Sequence, residues 1–269
     1  MISEMLSYDF IQRAFLGGVL VSLCAALLGV SLVLKRYSMI GDGLSHVSFG
    51  ALSIAIACGI APLKFAIPVV IVAAFLLLRL AENGKMRSDA AIAMVSASSL
   101  AIGVIVTSLT TGLSTDIYSY MFGSILAMSK DDVVVSGLLS VIVIIMFVAC
   151  YHKIFAVTFD ENFSKATGVK VGMYNTLISI FTAITIVVGI KMMGAMLISS
   201  LIVFPSLTSM RILKSFKSVT ICSAILSVVN FTIGLICSYG FSIPAGASVV
   251  VANLIMYIIF AIVAKVKTM

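Results

Sequence analysis

A carboxylate and an imidazole, Asp42 and His46, lie four residues apart in an otherwise apolar stretch near the start of the chain. A helix completes a turn in about 3.6 residues, so the two side chains would share one face and could reach a single ion. Zinc, manganese and ferrous iron all accept carboxylate oxygen and imidazole nitrogen as ligands. A structural role is the alternative, in which Asp42 caps the helix and His46 makes one interhelical hydrogen bond.

Small residues surround this pair and would let a second helix approach it closely. Gly41, Gly43 and Ser45 flank the two ionisable residues, and Gly50 follows His46 by one helical turn. Small side chains at helix contacts are typical of membrane bundles, in which packing holds the helices together. The pair therefore requires a helix, and the rest of the chain must supply the helices around it.

The composition places most of the chain in a membrane. Of the 269 residues, 62% are hydrophobic and 10% are charged, whereas a soluble domain carries about 25% charged residues. The net charge of +7 comes from basic residues divided among short loops, a pattern that indicates membrane topology and not nucleic-acid binding. We predict an all-α, polytopic membrane protein with one transmembrane domain over 1–269, surrounded by lipid and with no nucleic-acid partner.

Nine apolar runs could form spans, which predicts eight or nine transmembrane helices. Two of the runs are near the lower length limit of about 17 residues, so one of them could be a partial helix. The stretch 112–130 is too polar to span and is expected at the membrane interface. The nine runs are 14–34, 40–59, 63–81, 89–110, 132–151, 173–190, 193–210, 219–239 and 245–264.

The basic residues give an orientation for these spans. With nine spans and an outer N-terminus, thirteen basic residues face one side and four face the other. The richer side is cytoplasmic by the positive-inside rule. An eight-span arrangement with an inner N-terminus stays open if one early run lies in the interface. The four residues on the outer side are Arg13, Lys64, Lys130 and Lys191.

The longest predicted cytoplasmic loop, at about 152–172, contains the pattern of a short helix. Thr158 and Glu161 have the spacing of a capping box, in which the threonine caps the helix and the glutamate reaches back. Gly168 suits the end of that helix. Two interpretations stay open: a helix packed on its own bundle or on the membrane surface, and a helix that docks into a cytoplasmic partner.

Two later segments carry residues that interrupt or tighten the helices. Pro205 removes a backbone hydrogen bond inside the apolar run that follows Gly194, and we expect it to kink that helix. Pro244 and Gly246 begin the last span, where small residues again favour close helix contact. Breaks of this kind are tolerated where a neighbouring helix or a water-filled cavity satisfies the freed backbone groups.

Several enzyme motifs are absent from the sequence. There is no phosphate-binding Gly-x-x-x-x-Gly-Lys-Ser/Thr loop, so the chain is not expected to hydrolyse ATP, and there is no His-Glu-x-x-His zinc-protease motif. We therefore predict a transport subunit and not an enzyme. Two other classes stay open: an ion-gradient carrier, for which few ionisable residues are available, and a structural membrane subunit without a transport path.

Four motifs in order resemble one family, the permease subunits of bacterial zinc and manganese ATP-binding-cassette (ABC) importers. A basic pair at 35–36 precedes Gly-Asp-x-Leu-x-His at 41–46, and Asp-x-x-x-Tyr-x-Phe-Gly-x-x-Leu follows at 116–126. Gly-Ala-x-Leu-x-x-Ser-Leu-x-x-x-Pro spans 194–205, and Pro-Ala-Gly-x-Ser-Val-Val spans 244–250. The match looks closest to the zinc-uptake permeases. After Pro205 the family usually continues Ala-Ala-Thr-Ala, where this chain has Ser-Leu-Thr-Ser.

The resemblance implies a multi-pass permease of the bacterial cytoplasmic (inner) membrane that imports a divalent metal, most simply zinc, with manganese or ferrous iron as alternatives. It implies a homodimer, separate ATPase subunits, a periplasmic or surface metal-binding protein, and no permanently bound cofactor. Asp42 and His46 would line the path, and two copies would offer four ligands to one ion. The helix near 158–168 would be the coupling helix, with Phe159, Asp160, Glu161, Phe163 and Gly168 contributing to it.

The charge asymmetry gives a topology that can be measured. We expect single cysteines placed in 152–172 or 211–218 to react with a membrane-impermeant thiol reagent only from the cytoplasmic side, because the basic residues cluster there. Cysteines placed in 111–131 should react from the outside. Labelling of 152–172 from the outside in intact cells would contradict this orientation.

Overall fold

The computed structural model describes residues 8–82, 88–110 and 130–268, and within these ranges all regular structure is helical. This confirms the predicted all-α class. The helices in chain order are α1 (Asp9–Leu34), α2 (Ile40–Ala57), α3 (Pro62–Glu82), α4 (Ser88–Leu109), α5 (Lys130–Ala149), α6 (Tyr151–Phe159), α7 (Glu161–Ala166), α8 (Val171–Met193), α9 (Ala195–Met210), α10 (Phe216–Phe241) and α11 (Ala245–Thr268).

Each of the nine predicted apolar runs corresponds to a helix, although not all of them have full spanning length. In the described part of the chain, six helices (α1, α2, α4, α8, α10 and α11) are long and apolar enough to cross a membrane. A seventh span results if α5 and α6 are taken together across their 70° bend. The apolar part of α3, Pro62–Leu77, and the whole of α9 are shorter, in line with the sequence expectation of runs near the minimum length.

Helix α1 lies at the centre of the bundle and packs against α5, α8, α9 and α10. Its inward side chains are small or branched, and Cys24, Ala25 and Leu28 are all buried. The closest approach occurs at Gly29, where an added Cβ would lie 2.0 Å from the carbonyl oxygen of Ile202 on α9. A glycine there allows the two backbones to touch, which no other residue permits without a shift.

Helix α2 carries the sequence's ionisable pair and is enclosed chiefly by α3 and α4. Gly50 packs on α4 so closely that an added Cβ would lie 2.8 Å from the carbonyl oxygen of Ser99. Near its start, Gly43 lies against Ile92 of α4 and Gly41 lies against Ile202 of α9. The small residues around the pair therefore sit at helix contacts, and one face of α2 is left outside those contacts.

Helix α9 continues through Pro205 and is tied to α10 by hydroxyl groups. The Ser223 hydroxyl donates to the carbonyl oxygen of Pro205 at 3.1 Å, and the Ser209 and Ser223 hydroxyl oxygens are 2.8 Å apart. Ser206 and Ser209, where the resembling family has alanines, are buried and bond to backbone carbonyls of α9. The departure from the family pattern is therefore accommodated by local hydrogen bonds within the bundle.

Because of the close contact at Gly29, adding one methyl group at this position should strongly lower the stability of the protein. Gly29→Ala should destabilise the protein by about 1–3 kcal/mol or more, because the new Cβ meets backbone and not a flexible side chain. Gly172→Ala on α8 is the matched control, since an added Cβ meets nothing within 4 Å there. Thermal unfolding in detergent, followed by size-exclusion chromatography, should show a lower midpoint for Gly29→Ala alone. Equal midpoints for the two variants would contradict the contact.

Candidate metal site and coupling loop

The side chains of Asp42 and His46 meet on one face of α2, as their spacing predicts. The His46 Nε2 lies 3.6 Å from the Asp42 Oδ2 across one helical turn. Helix α2 begins after Met39, so Asp42 is its third residue and not its N-cap. A carboxylate in the first turn of a helix is favoured by the partial positive charge of the helix N-terminus.

The pair is open at the surface of the single chain, although α2 is mostly buried. The Asp42 side chain is 52% exposed and that of His46 is 24% exposed, while Gly43, Leu44 and Ser45 between them are buried. Exposure of a carboxylate to lipid is energetically costly. This face of α2 must therefore meet water or another polar surface in the membrane.

The neighbours of the pair fix α2 without occupying its ligand atoms. The Ser45 hydroxyl donates to the Gly41 carbonyl at 2.8 Å and lies 3.2 Å from the Ser199 hydroxyl on α9. Gly194, with φ of 89°, separates α8 from α9 and lets α9 start beside α2. Ser45 thus links α2 to α9. Its hydroxyl does not bond to the carboxylate of Asp42 or the imidazole of His46, which remain able to bind an ion.

A single chain offers few protein ligands for a divalent ion. Across residues 8–82, 88–110 and 130–268, no group of three or more histidine, cysteine, aspartate or glutamate side chains is placed to hold a metal. Asp42 and His46 supply two ligands, whereas a protein-bound zinc ion usually has about four. Further ligands for an ion at this pair would have to come from outside this described set of side chains.

The loop helix predicted at 158–168 is shorter than expected and is capped by a different residue. Thr158 still belongs to α6, and its buried hydroxyl has no hydrogen-bond partner. The cap is Asp160, whose extended backbone (φ −148°, ψ 100°) breaks the helix and whose Oδ1 accepts the Phe163 amide at 2.9 Å. The predicted capping box of Thr158 and Glu161 is therefore wrong, and α7 begins at Glu161.

The end of α7 is formed at Gly168. This residue has a left-handed φ of 81°, and its amide donates to the Lys165 carbonyl at 3.1 Å. The next amide, of Val169, donates to the Ser164 carbonyl at 2.9 Å, which completes a Schellman motif. The glycine is needed here because an L-residue is strained at this φ.

The outer surface of α6 and α7 is apolar and exposed. Phe159 is 58% exposed and Phe163 is 65% exposed, and the acidic cap Asp160 lies between them and is exposed as well. The Phe159 ring also contacts Phe155 and Phe216, with centroids 5.0 Å and 6.0 Å away. Two aromatic side chains flanking a carboxylate form a surface suited to docking in another protein.

Glu161 points away from that surface and into the bundle. Its Oε1 accepts from Lys35 Nζ at 2.7 Å and from Asn175 Nδ2 at 3.1 Å, and Lys35 Nζ also donates to Asn175 Oδ1 at 2.5 Å. Partial burial acts to raise the pKa of Glu161, but the hydrogen bonds from Lys35 and Asn175 and the nearby positive charges outweigh it and lower that pKa. The carboxylate is therefore ionised at neutral pH, and its stabilising effect is lost only as the pH falls through its lowered pKa.

Sequence reasoning missed Lys35 and Asn175 as partners of this glutamate. The sequence gives Lys35 a role in topology and in the family motif, but its partner Glu161 is 126 residues away. An asparagine close to the start of an apolar helix was the one available signal for Asn175. The Asp-x-x-x-Tyr motif at 116–126 lies outside the described residues, and Pro244 and Gly246 lie at the start of α11, the first exposed and the second buried.

The all-helical bundle and the carboxylate–imidazole pair in its second span define a polytopic membrane transport protein. Residues 7–264 match the model of the ABC 3 transport family, and the chain belongs to this family. Its sequence is 30% identical over 247 residues to the "High-affinity zinc uptake system membrane protein ZnuB" of Buchnera aphidicola, covering 91% of this chain and 94% of that protein.

A second relative is named for metal import, and a solved structure matches this chain over almost its whole length. The "Manganese import system permease protein ScaB" of Streptococcus gordonii is 26% identical over 252 residues, with 94% of this chain and 90% of that protein covered. The structure described as PsaBC from Streptococcus pneumoniae in complex with Fab matches with a TM-score of 0.86 and 26% identity, over 97% of this chain and 95% of that chain. The chain is thus a permease of the metal ABC importer family and a multi-pass membrane protein.

The reassigned helix cap can be tested by a pair of substitutions. Asp160→Ala should weaken α7 by about 0.5–2 kcal/mol, because the Phe163 amide loses its acceptor. Thr158→Val should leave α7 unchanged, since the Thr158 hydroxyl has no hydrogen-bond partner. Hydrogen exchange of the amides in 161–167 should accelerate in the first variant only. Faster exchange in Thr158→Val would indicate that Thr158 caps the helix and would contradict the Asp160 cap.

Proposed function

We propose that this permease imports a divalent metal ion, most simply zinc, along a path on which Asp42 and His46 hold the ion in transit. The observation that carries the proposal is the exposure of this pair on one face of an otherwise buried helix. A carboxylate in a membrane segment is retained at a cost, and a role in ion passage accounts for it.

A second copy of the chain would complete the site. Two chains related by a twofold axis along this face of α2 would bring together two carboxylates and two imidazoles, which suits a tetrahedral divalent ion. The two negative charges would offset the charge of the ion in a medium of low dielectric constant. Such a dimer would also remove the Asp42 carboxylate from lipid, which gives the same conclusion from a separate constraint.

Energy would come from ATP hydrolysis on a separate subunit, since the sequence has no phosphate-binding loop. The exposed Phe159, Asp160 and Phe163 would dock into that subunit, and a periplasmic or surface metal-binding protein would deliver the ion from the other side. In this arrangement the chain belongs in a bacterial cytoplasmic membrane, and the metal is cargo and not a resident cofactor.

The choice of zinc comes from the sequence motifs and from the four-ligand arrangement. Relatives named for zinc uptake and for manganese import both match this chain, and carboxylate and imidazole ligands also suit manganese and ferrous iron. Two of each ligand favour the tetrahedral preference of zinc, whereas manganese would need further oxygen ligands.

The proposal predicts that Asp42→Asn and His46→Ala lower zinc uptake by about tenfold or more, because each loses two of four ligands in the dimer. Uptake is measured in vesicles that contain the purified permease and its ABC subunit, with manganese as a competitor. Both variants should still assemble with the ATPase, since neither residue lies in the coupling loop.

His152→Ala is the matched control, because His152 is the other histidine of the chain and lies exposed on α6, away from α2. It should retain uptake. Wild-type uptake of both metals by Asp42→Asn and His46→Ala would place the path elsewhere. Uptake that needs an ion gradient and no ATP would replace the ABC mechanism with that of a carrier.

A further inference from the structure

Three polar side chains from distant parts of the chain meet beneath α7. Lys35 ends α1, Glu161 begins α7, and Asn175 lies in the first turns of α8, with each of the three bonded to the other two. The Lys35 side chain is only 7% exposed, whereas that of Glu161 is 39% exposed. A nearly buried ammonium group needs such partners, so this cluster is a specific structural feature and not a surface ion pair.

Helix α7 has few other attachments to the bundle. It has six residues, and Ser164 is the only one of them that is buried. Phe163 and Lys165 on its outer surface are exposed. The bond between Glu161 and Lys35 is therefore a main mechanical connection between α7 and the bundle. It joins the start of α7 to the C-terminal end of α1.

The turn between α1 and α2 is short and well hydrogen-bonded. The Tyr37 amide donates to the Leu32 carbonyl at 2.8 Å and the Arg36 amide to the Val33 carbonyl at 3.1 Å, the two bonds of a Schellman motif. Arg36 takes the left-handed position with φ of 61°, a conformation that usually requires glycine. The Ile40 amide then donates to the Tyr37 carbonyl at 3.0 Å, and Asp42 follows in the first turn of α2.

We propose that Lys35, Glu161 and Asn175 form a joint that transmits movement of α7 through the α1–α2 turn to the metal-binding face of α2. The three are positioning residues that touch neither the ion nor the ATPase. The proposal rests on the proposed function. It assigns Glu161 to the inner side of the coupling loop, where it bonds to Lys35, and not to the surface that docks into the ATPase. Phe159, Asp160 and Phe163 keep the contact with the partner.

The asparagine allows a specific test by charge exchange. Its amide can both donate and accept, and here it donates to Glu161 and accepts from Lys35. In the exchanged variant Lys35→Glu/Glu161→Lys, a 180° flip of the Asn175 side-chain amide restores all three hydrogen bonds. Lys35→Met and Glu161→Gln each remove one charge and leave the shape of the cluster nearly unchanged.

The experiment measures zinc uptake and ATP hydrolysis in the same vesicles, with the permease and its ABC subunit reconstituted together. Lys35→Met and Glu161→Gln should lower the zinc transported per ATP hydrolysed about fivefold or more, while the ATPase remains bound. The exchanged pair should recover most of the lost ratio. Lys170→Met, an exposed lysine of the same loop, should match the wild type.

Two outcomes separate this proposal from the function on which it rests. If the wild-type complex takes up no zinc or manganese, the proposed function is wrong. If the wild type transports metal and both single variants keep its transport ratio, the joint alone is wrong. Loss of transport in the single variants without recovery in the exchanged pair also overturns the joint, since a merely structural cluster would behave in that way.

A distance measurement in the wild-type complex keeps the proposal testable if a variant fails to fold. Spin labels on Lys165 of α7 and Met39 of the α1–α2 turn, both exposed, would report whether the two segments move together. The joint predicts the same distance between labels with and without bound ATP. A change of several ångströms between the two states would show that α7 moves independently and would overturn the joint.

Discussion

The cost of placing a carboxylate in a membrane constrains the rest of this structure. Asp42 lies in the first turn of a mostly buried helix, yet its side chain is half exposed in the single chain. Lipid cannot solvate that group, and the bundle leaves it uncovered. The uncovered face must therefore border a polar path or a second copy of the chain, and the same face carries the imidazole of His46. Solvation of the carboxylate and the proposed binding of a metal thus require the same surface.

The surrounding helices hold that face in place by direct backbone contact. Gly50 lets α2 touch α4 at Ser99, and Gly29 lets α1 touch α9 at Ile202. Contacts of this kind leave little room for sliding, so the helices near the pair should move as packed units. The coupling loop differs, since α7 is short, mostly exposed and fixed to the core largely through polar groups. Packed helices around the pair, connected to α7 through a few polar contacts, would allow the proposed movement of α7 to reach the pair.

The sequence predicted the helices well because their signal is long and chemically simple. Each apolar run became a helix, and two segments, Pro62–Leu77 and Ala195–Met210, are shorter than a full span. The meeting of Asp42 and His46 was predictable because it depends only on helical period. The exposure of that pair was not, since it depends on which faces of α2 the neighbouring helices cover.

Local and long-range polar contacts were harder to predict. The spacing of Thr158 and Glu161 predicted a capping box, but α6 continues through Thr158 to Phe159, and Asp160 caps α7 instead. The bond between Lys35 and Glu161 joins positions 126 residues apart, and a lysine at the end of a span is ordinarily explained by topology alone. No sequence pattern marks Arg36 as left-handed, because glycine is the usual signal for that conformation.

The number of zinc ions held by the purified permease tests the shared site most directly. Equilibrium dialysis followed by elemental analysis should find one zinc per two chains, and X-ray absorption should find imidazole nitrogen and carboxylate oxygen in its first shell. Asp42→Asn should lose this ion while remaining dimeric. One zinc bound to each chain, or an unchanged zinc content in Asp42→Asn, would contradict a site built from two copies of the Asp42–His46 pair.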